Sequence, residues 1–149
     1  MSDMFSMLEI SGSAMSAERQ RAEVVAANLA NANTTKTTEG GPYRRKEVVF
    51  ASSGNSPFRL AFQQARHVLG MTTAAVRVER VVPDPAPPLM RYEPGHPDAN
   101  AQGYVAYPAI NPIQEMVDLM GAVRAYQLNA SAVSASKQMF QQAMDILRS

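Results

Sequence analysis

The stretch that decides the fold is IQEMVDLMGAVRAYQLNASAVSASKQMFQQAMDILR, residues 113–148. It contains no proline, and an apolar side chain returns at every seventh position, at Leu119, Tyr126, Val133, Phe140 and Leu147. Such a repeat is typical of a helix that packs against other helices. Pro112 suits the first turn, with Asn111 as the N-cap. The pattern predicts one C-terminal helix of roughly 54 Å, at 1.5 Å per residue.

The N-terminal end of the chain has the same character. All ten prolines lie from Pro42 to Pro112, so residues 1–41 are also free of them. Proline in a helix interior costs about 3 kcal/mol, so this distribution separates helical ends from an irregular or β-rich middle. We expect a first helix from about Met4 to Asn31, weakened near Gly12. Its seven-residue series is Leu8, Met15, Ala22 and Leu29, with Val25 beside it.

The middle of the chain has the β-branched content of short strands. We predict four of them, at Tyr43–Phe50, Ala75–Val82, Leu89–Tyr92 and Tyr104–Tyr107. The segment Phe58–Leu69 fits a helix or a strand equally well. The sequence therefore predicts an α+β protein, in which an antiparallel, coiled-coil-like pair of terminal helices (1–35 and 111–149) carries a small β-rich module (36–110).

Composition excludes several functions. There is no cysteine, and the net charge of +1 does not favour a nucleic-acid partner. No apolar run reaches the roughly 20 residues that a membrane-spanning helix needs, and the N-terminus lacks the basic start of a secretory signal peptide. His67 and His96 have no companions at metal-ligand spacing. We expect no enzyme activity, no metal and no cofactor.

Two short motifs allow more than one interpretation. His96-Pro97-Asp98 spells the tripeptide of J-domain co-chaperones, but its proline-rich surroundings favour a structural turn. Arg44-Arg45-Lys46 is too short for a nucleic-acid patch and is followed by an acidic residue. We expect it to be a solvated strand edge. Alternatively, this basic run contacts an acidic face of a neighbouring subunit.

Three asparagines mark the end of the first helix, at Asn28, Asn31 and Asn33. A half-buried asparagine can fix the register between packed helices at some cost in stability. Simple capping and turn formation explain the same residues equally well. The sequence alone leaves both interpretations open.

Three segments resemble the flagellar rod and hook axial proteins, and within them the proximal-rod proteins. They are SGSAMSAERQRAEVVAANLANANTT (11–35), GPYRRKEVVF (41–50) and PGHPDANAQGYVAYPAINPIQEMVDLM (94–120). The third is the most specific, because helix periodicity would not produce its punctuated spacing. The residues that match the family motif are Asn28, Asn31, Asn33, Thr34, Pro94, Gly95, His96, Pro97, Asp98, Gly103 and Tyr104.

The resemblance implies a structural subunit of the rod in the flagellar basal body, which transmits torque through stacked terminal helices. The expected partners are copies of the chain, other rod proteins, base-ring and rod-junction components, and the export apparatus during secretion. Neither nucleic acid nor membrane insertion is expected, and export should leave the N-terminus uncleaved. Alternatives are another axial subunit, or a secretion-associated helical adaptor. The predicted packing surface consists of Leu8, Met15, Ala22, Val25, Leu29, Leu119, Tyr126, Val133, Phe140 and Leu147.

Overall fold

A computed structural model describes the backbone of residues 2–52 and 75–148, and the side chains of residues 6–52 and 75–146. Helix α1 covers Ser2–Ala30 and helix α2 covers Pro112–Arg148. Between them lie the strands β1 (Lys46–Ser52), β2 (Val76–Pro83), β3 (Leu89–Tyr92) and β4 (Tyr104–Tyr107). The predicted α+β class is confirmed. The ambiguous segment Phe58–Leu69 lies outside the described residues.

Polar residues set the end of α1 and the start of α2. Helix α1 continues through Gly12 and stops at Ala30. Beyond it, the Asn31 side chain donates to the Ala27 carbonyl at 2.9 Å, and the Thr34 N–H donates to the Asn31 carbonyl at 3.0 Å. The Asn31 side chain adds a second bond to the Ala27 carbonyl, which also accepts from the Asn31 N–H at 3.1 Å, and the Thr34 bond turns the chain beyond the helix. At the start of α2, the Ile113 N–H donates to Asn111 Oδ1 at 3.0 Å, which confirms the predicted N-cap.

The four strands form two separate two-stranded sheets, β1 with β2 and β3 with β4. Strands β3 and β4 are antiparallel, in a register that pairs Met90 with Ala106 and Tyr92 with Tyr104. Their bounds agree with the sequence prediction. The predicted start of β1 at Tyr43 is wrong by three residues. The Tyr43 N–H donates to the Thr34 carbonyl at 3.0 Å, so this part of the chain follows α1 before it joins a sheet.

The turn between β3 and β4 depends on Gly103, whose φ of 80° lies in the left-handed region. A Cβ at this position would lie 2.8 Å from Tyr92 Cε2. Asn100 completes the turn, because its Oδ1 accepts from the N–H groups of Gln102 and Tyr104, both at 2.9 Å. Glycine is therefore required here for both conformation and space.

The chain divides into two compact units. The described residues of Met1–Gln20, Phe50–Glu79 and Val123–Ser149 belong to one, and Arg21–Val49 with Arg80–Ala122 make up the other. The second unit buries Val25, Val105 and Ala122, and it contains the site described below. The three-part division at residues 35 and 110 stays a prediction. Within the described part of the chain, neither helix is long and apolar enough to cross a membrane.

Candidate assembly site

Asn28, near the end of α1, is fully buried and uses its whole hydrogen-bonding capacity. Its Nδ2 donates to the Lys46 carbonyl at 2.8 Å and to Glu115 Oε2 at 3.0 Å. Its Oδ1 accepts from the Lys46 N–H at 2.9 Å and from the Tyr43 hydroxyl at 3.1 Å. A side-chain amide offers two donor hydrogens and two acceptor lone pairs, and all four are matched. Of the two interpretations left open by the sequence, register specification therefore describes Asn28, and capping describes Asn31.

Glu115, in the first turn of α2, is the second buried polar group, with 1% of its surface exposed. Its Oε1 accepts from Arg45 Nε at 2.6 Å, while its Oε2 accepts from Asn28. Both carboxylate oxygens are thus bonded, one of them to a full positive charge. We call Asn28, Tyr43, Arg45, Glu115 and the Lys46 backbone the polar clamp. It joins the end of α1, the start of β1 and the start of α2.

Arg45 supplies the positive charge of the polar clamp, and its side chain is 21% exposed. Its other nitrogens bond Glu47 and lie 3.7 Å from Asp84 and 4.0 Å from Asp118. Burial lowers the pKa of the Arg45 guanidinium, but the hydrogen bonds and charges of Glu115 and then Glu47 raise that pKa further, above its ordinary value. The guanidinium therefore stays charged wherever the protein is folded.

The expectation of a solvated Arg44-Arg45-Lys46 edge is therefore wrong for Arg45. Successive side chains of an extended chain point to opposite faces, so only alternate members of a basic run can face solvent together. Arg44 and Lys46 are exposed, as expected. The acidic face that meets Arg45 belongs to its own chain.

Tyr43 closes the polar clamp beside Asn28. Its partial burial, and then the negative charge of Glu115, raise the pKa of the Tyr43 hydroxyl above its ordinary value of 10.0. Both effects favour the neutral phenol, which is the form that can donate to Asn28. Tyr43 is therefore a hydrogen-bond donor at physiological pH.

The acidic residues of this region do not form a metal site. Four carboxylates surround Arg45, and one of them, that of Asp118, is also 3.8 Å from Arg21. Among the residues whose side chains are described, no three His, Asp or Glu side chains could hold a metal ion. The chemistry of the polar clamp is charge pairing and hydrogen bonding between segments distant in sequence.

The motif around His96 is a turn that bonds to the segment after α1. Thr35 Oγ1 donates to Asp98 Oδ2 at 2.7 Å, and the Asp98 N–H donates to His96 Nδ1 at 3.1 Å. The His96 ring lies edge-on to Tyr107 of β4, with 6.3 Å between ring centres. These contacts give the PGHPD segment a structural position, in agreement with its interpretation as a turn.

The predicted packing residues of α1 lie along one partly covered side. Val25 is buried, whereas Leu8, Met15, Ala22 and Leu29 are half-buried. The most deeply buried side chains of the helix, Ala17 and Asn28, were not in the predicted set of packing residues. Asn28 was singled out instead as an asparagine at the end of the helix and as part of the family motif, because an apolar repeat gives no signal for a buried amide.

The predicted packing residues of α2 are less covered. Leu119 and Val133 are half-buried, Tyr126 is 38% exposed and Phe140 37% exposed. Leu147 lies outside the described side chains. The deeply buried residues of this helix are Glu115, Ala122 and Ser136, which are polar or small. Whether the predicted set of packing residues meets other subunits stays a prediction.

Sequence reasoning missed a second apolar surface, on the opposite side of the first turns of α2. Ile113, Val117 and Met120 are each more than half exposed, Ile113 by 74%. They follow one another at spacings of four and three residues, so they share one face of the helix. Glu115 and Ala122 lie on the other side. We call Ile113, Val117 and Met120 the outer face, and their spacing was the signal available in the sequence.

Comparison with known proteins fits this arrangement. Residues 8–36 match the family of flagella basal body rod proteins, and residues 101–146 match the C-terminal family of the flagellar basal body rod FlgEFG proteins. The flagellar basal-body rod protein FlgC of Borreliella burgdorferi is 35% identical over 97% of this chain and 98% of its own length. FlgC of Bacillus subtilis is 39% identical over 95% of this chain and 97% of its own length. FlgC of Escherichia coli O6:H1 is 38% identical, with 91% and 92% covered.

The chain belongs to the FlgC family of flagellar basal-body rod proteins. As a FlgC-family protein it is a structural subunit of the rod and assembles with other basal-body rod components. The polar clamp takes Asn28 from one family-matched segment and Glu115 from the other. Tyr43 and Arg45, which connect them, lie between the two matched segments.

Proposed function

We propose that this FlgC-family chain is a non-catalytic subunit of the proximal rod that transmits torque through stacked terminal helices. The observation that carries the proposal is the outer face. Burying a side chain such as Ile, Val or Met contributes about 1.5–3 kcal/mol, so three of them on one face favour association strongly. A helix that is apolar on its exposed side as well as along its covered side suits a subunit within a larger assembly.

The polar clamp supports the mechanical part of this proposal. A load on α1 or α2 reaches the strand module through Arg45 and the Lys46 backbone, by bonds of 2.6–3.0 Å. Directional hydrogen bonds resist sliding, whereas a contact between small apolar residues does not fix register by itself. The polar clamp therefore suits a subunit whose helices must keep their register while they transmit torque.

The partners follow from the same proposal. Copies of the chain and other rod proteins would cover the apolar surfaces of α1 and α2. Base-ring and rod-junction components would contact the ends of the assembly. The export apparatus would handle the chain before it folds, without removing a signal peptide. Intact mass measurement of the chain in purified basal bodies tests the last point, and a mass that shows the loss of more N-terminal residues than Met1 would contradict it.

Deletion of the gene tests the structural role. We expect the deletion strain to lose its rods in images of isolated basal bodies and to stop swimming. Intact rods with normal swimming would overturn the proposal.

Substitution of Tyr126 by Asp tests the packing role of α2. A charge at this partly exposed aromatic position would have to be buried in the assembly, which costs several kcal/mol when it is unpaired. We expect the Tyr126→Asp chain to be exported but to form no rods. Tyr126→Phe is the matched control and should swim normally. A motile Tyr126→Asp strain would exclude this face from the interface.

A further inference from the structure

Two cationic side chains, one at the start of β1 and one just before it, take no part in the polar clamp. Arg44 and Lys46 flank Arg45 in sequence and line an open cleft of about 610 Å³. The cleft continues over the loop that carries Thr37 and Thr38 and over the exposed part of Val81 on β2. Because side chains alternate along the extended chain, Arg45 points to the polar clamp, whereas Arg44 and Lys46 point to the cleft.

The charges of this cleft are not balanced within the described part of the chain. Arg44 has neither an ion pair nor a hydrogen bond there, in contrast to Arg45 with its four carboxylates. The Lys46 Nζ lies 5.8 Å from the centre of the Tyr43 ring and has no carboxylate partner among the described residues. Among the described residues, Glu39 is the single acidic one that lines the cleft.

Part of the remaining lining of the cleft is apolar, beside the polar side chains of Thr37 and Thr38. Pro42, Tyr43, Val81 and Pro83 lie beside the cations, and Val81 is among the exposed hydrophobic residues. A ligand that offers negative charge alone would leave these groups uncovered and would meet Glu39. A peptide segment with a carboxylate next to an aliphatic or aromatic side chain satisfies both parts of the lining.

We propose that this cleft binds an acidic segment of another rod subunit, with its carboxylates on Arg44 and Lys46 and an apolar side chain against Val81. The proposal rests on the proposed rod function, and it adds a contact made by the strand module to those made by the terminal helices. Its chemical basis is electrostatic complementarity, which gives an interface its register and its choice of partner.

Site-specific crosslinking in assembled rods tests the occupant directly. A photo-crosslinking amino acid replaces Thr38 at the cleft, or Arg80 outside it as the control, in the full chain within the bacterium that encodes it. After irradiation, mass spectrometry of purified basal bodies identifies the joined peptides. We expect Thr38 to capture an acidic segment of a rod subunit and Arg80 not to capture it. Capture of a non-protein polymer, or equal products from both positions, would overturn the proposal.

Charge reversal tests the role of the two cations. We expect Arg44→Glu with Lys46→Glu to reduce the Thr38 crosslink at least about tenfold, because two attractions become two repulsions. Lys36→Glu with Arg80→Glu makes the same change of net charge outside the cleft and should leave the crosslink intact. Reversing the charges of the captured segment should restore it. An undiminished crosslink in the Arg44/Lys46 variant would contradict the proposal.

The gene deletion separates this proposal from the rod function itself. If deletion abolishes rods while Arg44→Glu with Lys46→Glu leaves the Thr38 crosslink undiminished, the cleft contact is wrong and the rod function stands. If the deletion strain keeps its rods, the rod function is wrong as well.

Discussion

The two sides of the first turns of α2 differ in a way that reverses the usual distribution of residues. The covered side holds Glu115, a charged residue with 1% of its surface exposed, and Ala122. The outer face holds Ile113, Val117 and Met120, all apolar and all more than half exposed. Glutamate is almost never fully buried unless it is paired, whereas a cluster of exposed large apolar side chains marks an interaction surface. The covered side therefore specifies how the chain folds, and the outer face is available for association.

The covered side illustrates what a buried polar network contributes. Replacing a buried ion pair by apolar residues is often neutral for stability, so the pair is not there simply to add free energy. What Asn28, Arg45 and Glu115 provide is direction, because a hydrogen bond is favourable only over a limited range of distances and angles. Small buried residues such as Ala122 carry no directional bond and do not fix register. The following predictions test this contrast, in order of the expected change in the unfolding free energy of the chain.

Asn28→Asp should have the largest effect. The new carboxylate would face Glu115 Oε2, now 3.0 Å from the amide nitrogen, and would have no hydrogen to donate to the Lys46 carbonyl. We expect a loss of more than about 3 kcal/mol, because a buried like-charge pair adds to two lost bonds. Urea denaturation followed by circular dichroism measures it. Asn33→Asp, at an exposed position of the same motif, should change stability by less than about 0.5 kcal/mol.

Arg45→Ala should cost about 3 kcal/mol, because it leaves the buried Glu115 carboxylate without its positive partner. Arg45→Lys should recover only part of the loss, since an ammonium cannot match the planar guanidinium toward several carboxylates. The adjacent Arg44→Ala is the matched control, with an expected change within about 0.5 kcal/mol. Equal losses of unfolding free energy at positions 44 and 45 would show that the polar clamp contributes nothing specific.

Tyr43→Phe should cost about 1 kcal/mol, the value of one hydrogen bond to Asn28. It should also change the pH dependence of stability. The folded state raises the pKa of Tyr43, so its contribution is complete below the ordinary value of 10.0 and is lost as the pH rises through the higher folded value. We expect the unfolding free energy of the wild type to fall more steeply above pH 10 than that of Tyr43→Phe. Parallel curves for the two proteins would contradict a raised pKa of Tyr43 in the folded state.

Val117→Ser should have the smallest effect on the chain itself, within about 0.5 kcal/mol, because its side chain is already exposed. Its effect should appear in assembly, as fewer rods in basal-body preparations. Gln114→Ser, at an exposed polar position one turn away, should assemble normally. If Val117→Ser destabilises the isolated chain but leaves rod formation unchanged, the outer face contributes to folding and not to association.

Much of this fold could be predicted from the sequence, because proline placement and seven-residue spacing report helices directly. Strands β3 and β4 were predictable to the residue, since the Pro-Gly-His-Pro-Asp segment and Gly103 restrict where pairing can occur. The start of β1 was not, because Tyr43 and Arg45 have strand-like character but bond to other segments.

The polar clamp was harder to predict than the fold. A basic tripeptide looks solvated in sequence, and alternation cannot tell which of its members faces inward. Glu115 could be expected in the first turn of α2 because of the helix dipole, but that argument holds for an exposed residue too. Its burial follows from partners at positions 28 and 45, which only the folded chain brings together.

The bonds of Asn28 also require that the chain extend at least as far as Glu115. Its four partners come from residues 43, 46 and 115, so the last of them is available only when more than two thirds of the sequence is present. A fragment that stops before Glu115 would leave an amide hydrogen of Asn28 and the guanidinium of Arg45 without their main acceptor. A chain that ends before Glu115 therefore cannot form the polar clamp.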